Sequence, residues 1–175
     1  DDIGDTLWTK TYGGRSIETG TAVQQTNDSN YIIGGTTDSF GEGGWDAYLL
    51  KVDSNGDTLW ARTFGGIHDD NSEDVKATRD GGFISCGFTL SYSNGDWDAY
   101  VVKIDGNGNL EWQRNYGGGE ADQANSICET SSKGYVFGGY TLSYSDSTDF
   151  YVVRIDDDGD VLWWRTYGGI TPDNA

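Results

Sequence analysis

A pattern that returns every 51 or 52 residues constrains the fold of this chain more than any other feature. Gly-Gly pairs that follow an aromatic residue begin at Gly13, Gly65, Gly117 and Gly168. A tryptophan precedes each pair by five residues, at Trp8, Trp60, Trp112 and Trp163. A third block, an Asp before an apolar run that ends in a basic residue, begins at Asp46, Asp98 and Asp149. Three patterns in step predict one supersecondary unit repeated along the chain.

Each repeat divides into four short candidate strands. In the first repeat they are Thr21–Thr26, Tyr31–Thr36, Ala47–Val52 and Thr58–Phe64. β-branched and aromatic residues dominate these runs, and clusters of Asp, Asn, Ser and Gly separate them as turns do. Four antiparallel strands in a unit of this size predict a blade of a β-propeller. A parallel solenoid, the competing repeat fold, is disfavoured by the hairpin signals inside each unit.

The predicted architecture is all-β, with one propeller or part of one over residues 1–175. We expect full blades over residues 15–66, 67–118 and 119–169, an additional fourth strand over 5–14, and a tail over 170–175. Closed propellers have about 4–8 blades, so three blades predict an incomplete ring. Further blades of a longer parent chain are favoured to complete it. Identical subunits that exchange the strand over 5–14 are the alternative.

Packing expectations follow from the same repeats. Continuous apolar runs such as Tyr48-Leu49-Leu50 predict strands that are covered on both faces by neighbouring blades. The repeated indole is expected to fill the space between one blade and the next. The glycines at Gly34-Gly35, Gly87 and Gly138-Gly139 predict close backbone approach near the propeller axis.

The segment from Lys51 to Trp60, which ends at Phe64-Gly65-Gly66, resembles repeats of secreted bacterial propellers of unassigned function. It is also similar to the Asp…Gly…Trp docking motif of quinoprotein-type propellers, although one residue shorter between Asp and Trp. The resemblance covers nearly the whole chain. It implies a propeller fold and carries over no cofactor-binding or catalytic residue.

The net charge of the chain excludes some classes of binding partner. Lys and Arg number 11 and Asp and Glu number 29, which gives a formal net charge of −18. A surface of this sign repels nucleic acid and anionic membranes, and it favours cations and basic protein surfaces. No apolar stretch is long enough to span a bilayer. We expect an extracellular or cell-surface protein whose signal peptide has been removed. Whether Cys86 and Cys128 form a disulfide stays open.

The loops between the third and fourth strands invite a calcium interpretation, because oxygen-bearing side chains alternate along them as they do in calcium loops. Their Gly lies at the fourth position and no acidic residue closes the loop, so plain hairpin turns are favoured. No cofactor is expected, and calcium is the weak alternative. The candidate ligands are Asp53, Asn55, Asp57, Asp156, Asp158 and Asp160.

Two further sets of residues are candidate sites. Asp46, Asp98 and Asp149 are interpreted as structural, in ion pairs or in hydrogen bonds at strand starts. The loops between blades and those between second and third strands are expected on one face, where acids and rings could bind a glycan or a basic protein. Its candidates are Trp45, Trp97, Tyr92, Tyr144, Asp69 and Asp70.

With one histidine, His68, and repeats that serve packing, the sequence predicts a non-enzymatic structural or adhesive propeller that could assemble into a filament or surface layer. The first alternative is a carbohydrate- or protein-binding module that uses the loop face. The second is a fragment of a larger propeller enzyme, for example a glycosidase with two carboxylates at a set separation. Fold alone does not choose among these.

Overall fold

The computed structural model describes residue 3, residues 5–144 and residues 147–169. The predicted tail over 170–175 and part of the loop over 143–148 therefore lie outside the described residues. Within them the regular structure is entirely β, in three four-stranded antiparallel sheets, each with its strands in chain order. We call these sheets blades 1, 2 and 3. Among the described residues no helix has the length and apolar character that a membrane crossing requires.

The strands repeat from blade to blade. Blade 1 contains β1 (Glu18–Gln25), β2 (Tyr31–Thr37), β3 (Asp46–Val52) and β4 (Thr58–Phe64). Blade 2 contains β5 (Asp74–Ala77), β6 (Phe83–Thr89), β7 (Asp98–Ile104) and β8 (Leu110–Tyr116). Blade 3 contains β9 (Asp122–Glu129), β10 (Tyr135–Thr141), β11 (Asp149–Ile155) and β12 (Val161–Tyr167). The first strands of successive blades lie beside one another, so they form the inner side of the array.

The predicted first strand of blade 1 begins too late. The ladder with β2 starts at Glu18 rather than Thr21, and it contains a bulge between Gly20 and Ala22. Glu18 and Gly20, on either side of Thr19, have little intrinsic β-preference. Backbone pairing with Thr37, Thr36 and Gly35 holds them in the strand, and sequence propensity does not report such pairing.

The predicted fourth strand over residues 5–14 is wrong as a strand. Among the described residues this segment forms no ladder with another part of the chain. A strand needs a neighbour for its backbone N–H and C=O groups, and no described strand pairs with this segment. Its side chains nevertheless occupy the place of a fourth strand, as shown below.

The core consists of two apolar layers between successive blades. One layer joins blades 1 and 2 and includes Leu49, Phe83 and Val102, while the other joins blades 2 and 3 and includes Val101 and Phe137. Every residue of β7 is buried, because alternate side chains enter the two layers. The expectation from the continuous apolar runs is thus confirmed for the middle blade.

Close backbone approach is confirmed at some of the repeated glycines. A Cβ on Gly139 would stand 1.8 Å from the carbonyl oxygen of Gln123, since the bulge in β9 brings that carbonyl against β10. Gly35 meets the carbonyl of Thr19 in the same way, at 1.9 Å. Gly138 departs from the expectation, because nothing lies within 4 Å of its Cβ position.

We therefore expect Gly139→Ala to lower the free energy of unfolding by about 2–3 kcal/mol or more, since a methyl group must displace backbone. Gly138→Ala, one residue away on the same strand, is the matched control and should change it by less than about 0.5 kcal/mol. Urea unfolding followed by tryptophan fluorescence measures both. Equal effects of the two substitutions would contradict the bulge geometry.

Candidate functional site

The joints between blades repeat one hydrogen bond and one ring contact. The Trp60 indole in β4 packs against Phe83 at the start of β6, with ring centroids 5.8 Å apart. Its Nε1 donates to the carbonyl oxygen of Gly106, at 3.3 Å, in the β7–β8 hairpin. Trp112 repeats the arrangement on blade 3, donating to the carbonyl of Asp157 at 2.9 Å. The expected role of the periodic indole is confirmed at both joints.

Each hairpin that receives an indole is closed by its first Asp. The Asp105 carboxylate Oδ1 accepts the backbone N–H groups of Asn107 and Asn109, each at 2.8 Å. Gly108 follows with a φ of +81°, and a Cβ there would stand 3.1 Å from the Trp60 ring. The Asp-x-x-Gly motif is thus a tight turn whose glycine lets the indole of the preceding blade approach.

The candidate calcium ligands belong to these hairpins. Asp53 Oδ1 accepts the N–H groups of Asn55 and Asp57, and Asp156 Oδ1 accepts those of Asp158 and Asp160. Among the described residues, no three His, Cys, Asp or Glu side chains are grouped so as to hold a metal ion. The hydrogen bonds favour the turn interpretation, and calcium binding stays an untested prediction.

The segment over residues 5–14 is seated on blade 1 through the same contacts. Trp8 Nε1 donates to the carbonyl oxygen of Ser54 at 3.0 Å, and the indole packs edge-on against Tyr31, 6.3 Å away. The Tyr12 hydroxyl donates to the carbonyl of Gly56 at 2.8 Å, and Lys10 pairs with Asp57. These side-chain contacts place the segment at the site that a fourth strand occupies on the later blades.

The last joint is half built. Trp163 in β12 is 42% exposed, and Leu162 beside it is 56% exposed. No described residue follows on that side, so the indole lacks the hairpin and the ring that its three counterparts contact. Trp164 points the other way and stacks on Tyr144, with centroids 4.6 Å apart. Sequence periodicity had put Trp163 in the same surroundings as the other repeated indoles, and the structure corrects this.

The recurring Asp residues are buried at strand starts. Asp46 Oδ2 accepts the N–H of Glu42 at 3.0 Å, and Asp98 Oδ2 accepts the side-chain amide of Asn115 at 2.7 Å. Asp149 is 7% exposed in the corresponding place. None of them pairs with the basic residue at the end of its own strand: Lys51, for example, pairs with Asp28 at 3.0 Å. Burial raises the pKa of Asp46 to about 6, and nearby Asp70 contributes to the rise.

The predicted ligand face exists as a set of adjoining loops, but its candidates differ in exposure. Asp69 is exposed and accepts the Trp45 N–H at 3.0 Å, whereas Asp70 is fully buried, so its place on a solvent-exposed face is wrong. Tyr92 donates its hydroxyl to the carbonyl of Gly65. Tyr144 and Trp97 are similarly engaged, with Gly117 and Tyr140. These bonds anchor loops, and binding of a glycan or basic protein stays a prediction.

Sequence reasoning assigned Asp70 to the loop face and missed the structural role of the acidic residues at the start of β1, four residues before β5 and at the start of β9. Glu18, Asp70 and Asp122 each follow the first glycine of a Gly-Gly pair by five residues. Each accepts the N–H of the second glycine, at 3.2, 2.8 and 2.8 Å. The constant spacing was the available signal, since it belongs to the same period as the indoles. Cys86 and Cys128, left open by the sequence, are free thiols here.

Comparison with known proteins agrees with this geometry. A family model described as a domain of unknown function (DUF5122) beta-propeller matches residues 135–161, which run from β10 to the first residue of β12. The fold is that of a β-propeller. One solved structure to which the propeller is similar is a protein of unknown function from Bacteroides caccae. It is 11% identical, with a TM-score of 0.45, over 88% of this chain and 69% of that chain. No curated protein matches the sequence.

The contacts at the joints predict that Trp→Ala lowers the free energy of unfolding by different amounts at different repeats. Trp60→Ala removes a half-buried indole and its hydrogen bond to blade 2, so the free energy of unfolding should fall by roughly 3 kcal/mol. Trp163→Ala, the matched control at the uncovered position of the repeat, should change it by less than about 1 kcal/mol. Both are measured by urea unfolding of dilute protein. A loss at Trp163 as large as that at Trp60 would contradict the joint.

Proposed function

We propose that this propeller is a non-enzymatic extracellular module that serves structure or adhesion by docking its β12 side onto blade 1 of a second copy. The observation that carries the proposal is the half-built joint at Trp163. Three indoles of the repeat each bind a hairpin and a ring of a following blade. No described residue provides these partners for Trp163, and Trp163 and Tyr167 are 42% and 60% exposed. Exposed apolar area of this kind marks an interaction surface.

The sequences of the two ends support a second copy as the occupant. Residues 5–14 and 160–169 share seven of ten positions, including Trp8 with Trp163 and Tyr12 with Tyr167. Because residues 5–14 are seated on blade 1, a β12 of nearly the same sequence fits that seat. Repeated head to tail, such docking gives an open array rather than a closed dimer. Docking of this kind requires residues 5–14 to leave their site on blade 1.

Charged side chains at the site on blade 1 favour this docking, although the net charges of the two copies oppose it. Lys10 pairs with Asp57 on blade 1, and Arg165 stands at the Lys10 position in β12, so the incoming strand brings a cation to the same carboxylate. Two copies that each carry a net charge of −18 repel one another at long range. Physiological salt screens that repulsion beyond about 8 Å, so we expect assembly to increase with ionic strength.

The non-enzymatic part of the proposal rests on how the charged groups are used. The chain has one histidine, and the buried carboxylates of the described residues accept backbone or side-chain hydrogen bonds at strand starts. The extracellular part rests on the resemblance of the repeats to those of secreted bacterial propellers. A hydrolytic activity lost on a single Asp→Asn substitution would contradict the first part.

Two tryptophan substitutions should act in opposite directions on assembly. Trp163→Ala removes the docking indole and should abolish concentration-dependent association. Trp8→Ala weakens the grip of residues 5–14 on blade 1, frees the seat and should increase association. Sedimentation velocity at several protein and salt concentrations measures both, and electron microscopy of the Trp8→Ala protein should show linear arrays.

The control is Trp164→Ala, which changes the same side-chain type on the other face of β12 and should leave association at the wild-type level. Association that responds equally to Trp163→Ala and Trp164→Ala would show nonspecific hydrophobic contact. A wild-type protein and a Trp8→Ala protein that both remain monomeric at high salt would refute docking between copies.

A further inference from the structure

Both joints between described blades enclose a pair of carboxylates that come from different blades and flank one glycine. Asp98 at the start of β7 is 1% exposed, and Asp122 at the start of β9 is fully buried. Gly117 separates them, and the position of a Cβ on it lies 2.4 Å from Asp98 Oδ1 and 2.4 Å from Asp122 Oδ2. Asp46 and Asp70 flank Gly65 in the same way, at 2.3 and 2.5 Å. Two like charges this close inside a protein repel strongly.

Hydrogen bonds distinguish the two members of a pair. Asp122 Oδ2 accepts the N–H of Gly118 at 2.8 Å and the hydroxyl of Ser143 at 2.6 Å. Asp70 Oδ2 accepts the corresponding bonds from Gly66 and Ser91, at 2.8 and 2.6 Å. Both bonds use Oδ2 as an acceptor. Asp70 and Asp122 are therefore the members of the two pairs that surrounding donors already hold as hydrogen-bond acceptors.

Two oxygen atoms of the Asp98–Asp122 pair have no partner. Asp98 Oδ1 and Asp122 Oδ1 are the side-chain oxygens that, among the described residues, are buried without any hydrogen bond. An unsatisfied buried acceptor costs about 1–3 kcal/mol, and more if it is charged. Two ionised carboxylates would leave both acceptors unsatisfied, so a hydrogen-bond donor is required between them.

A proton on one of the two carboxyl groups meets this requirement without any further group. Calcium takes about 6–8 oxygen ligands, and the described residues offer no group of three acidic, His or Cys side chains for it. No Lys or Arg forms an ion pair with any of the four carboxylates among the described residues. A protonated Asp98 becomes a donor, and the Asp122 carboxylate beside it is an acceptor.

We propose that each blade joint binds one proton, carried by the third-strand Asp (Asp46 or Asp98) and shared with the inner-strand carboxylate of the next blade (Asp70 or Asp122). The stability of the joints therefore depends on pH. The propeller holds its blades together more strongly at mildly acidic pH than at neutral pH.

The surroundings of each pair agree with an uptake of protons. Glu42 lies near Asp46 and adds negative potential there. Tyr92 and Tyr100 lie near the Asp46–Asp70 pair, and Tyr144 and Tyr151 near the Asp98–Asp122 pair. Burial raises the pKa of Tyr100, Tyr144 and Tyr151, so these rings stay neutral and supply no counter-charge. Burial likewise raises the pKa of Asp98, with a further contribution from Asp122.

The sign of the pH effect follows from these shifts. In the unfolded chain Asp46 returns to its ordinary pKa of 3.8, whereas in the folded protein it holds its proton up to about pH 6. Stability from such a group is complete below the unfolded pKa and is lost as the pH rises through the folded one. Groups with lowered pKa, such as Asp80 at about 2, act in the opposite sense and only in more acidic solution.

The test is urea unfolding between about pH 5 and pH 7.5, followed by tryptophan fluorescence. The wild-type midpoint should fall between pH 5 and about pH 6, where Asp46 loses its proton, and level off at higher pH. Asp98→Asn should remove part of that fall and the double substitution Asp46→Asn, Asp98→Asn the rest, because a neutral amide keeps a donor in each joint at every pH. At pH 7.5 the double variant should be more stable than wild type.

Asp158→Asn is the control for general charge repulsion, since it removes the same charge at an exposed hairpin position where blades 1 and 2 already carry Asn55 and Asn107. It should keep the full wild-type slope. A flat wild-type profile, or a slope that Asp158→Asn reduces as much as Asp98→Asn does, would overturn the proposal.

Two further measurements on the wild-type protein separate a proton from a metal and need no variant to fold. At about pH 5 the infrared spectrum should show the carbonyl band of a buried protonated carboxyl, and this band should fade towards pH 7.5. Unfolding at pH 7.5 should not depend on added Ca²⁺ or on EDTA. A missing carbonyl band, or stabilisation by Ca²⁺ that Asp98→Asn abolishes, would overturn proton binding.

Discussion

The hydrogen bond from an indole nitrogen to the backbone of the next hairpin is the contact on which the rest of this structure depends. It fixes the distance between blades, because the ring must reach the turn carbonyl and still pack on the first residue of the next second strand. It also explains the composition of the turn. Glycine is needed where the ring approaches, at Gly56, Gly108 and Gly159, and each of these has a positive φ.

The same geometry determines where charge is buried. When two blades close on an indole, the starts of the third strand and of the next inner strand meet around a glycine. Each brings a carboxylate, and backbone N–H groups and a serine hydroxyl satisfy only part of the pair. An acidic protein thus buries carboxylates in the joints that hold its blades together.

A joint that serves every blade in turn also leaves two ends. On blade 1 the seat for an indole is occupied by Trp8, which comes from a segment without a strand ladder. Among the described residues, no hairpin receives the Trp163 indole of blade 3. Because β12 of blade 3 and the indole site on blade 1 are complementary parts of one repeated contact, assembly is the function that we propose. The loop face is the weaker candidate for a binding surface, since its tyrosine hydroxyls and its buried Asp70 already form hydrogen bonds that hold the loops.

The sequence by itself determined the repeat, the four strands of each blade, the hairpin turns and the role of the periodic tryptophan, because each of these rests on local spacing and local residue preference. It could not place Glu18, Thr19 and Gly20 in β1, since only pairing with β2 holds them there. It could not tell Gly138 from Gly139, because a bulge brings a carbonyl against one and not the other. It assigned Asp70 to a solvent-exposed face and did not predict the structural role of Asp122. Tertiary structure alone decided that these carboxylates meet Asp46 and Asp98, since residues more than twenty positions apart become neighbours only when two blades pack together.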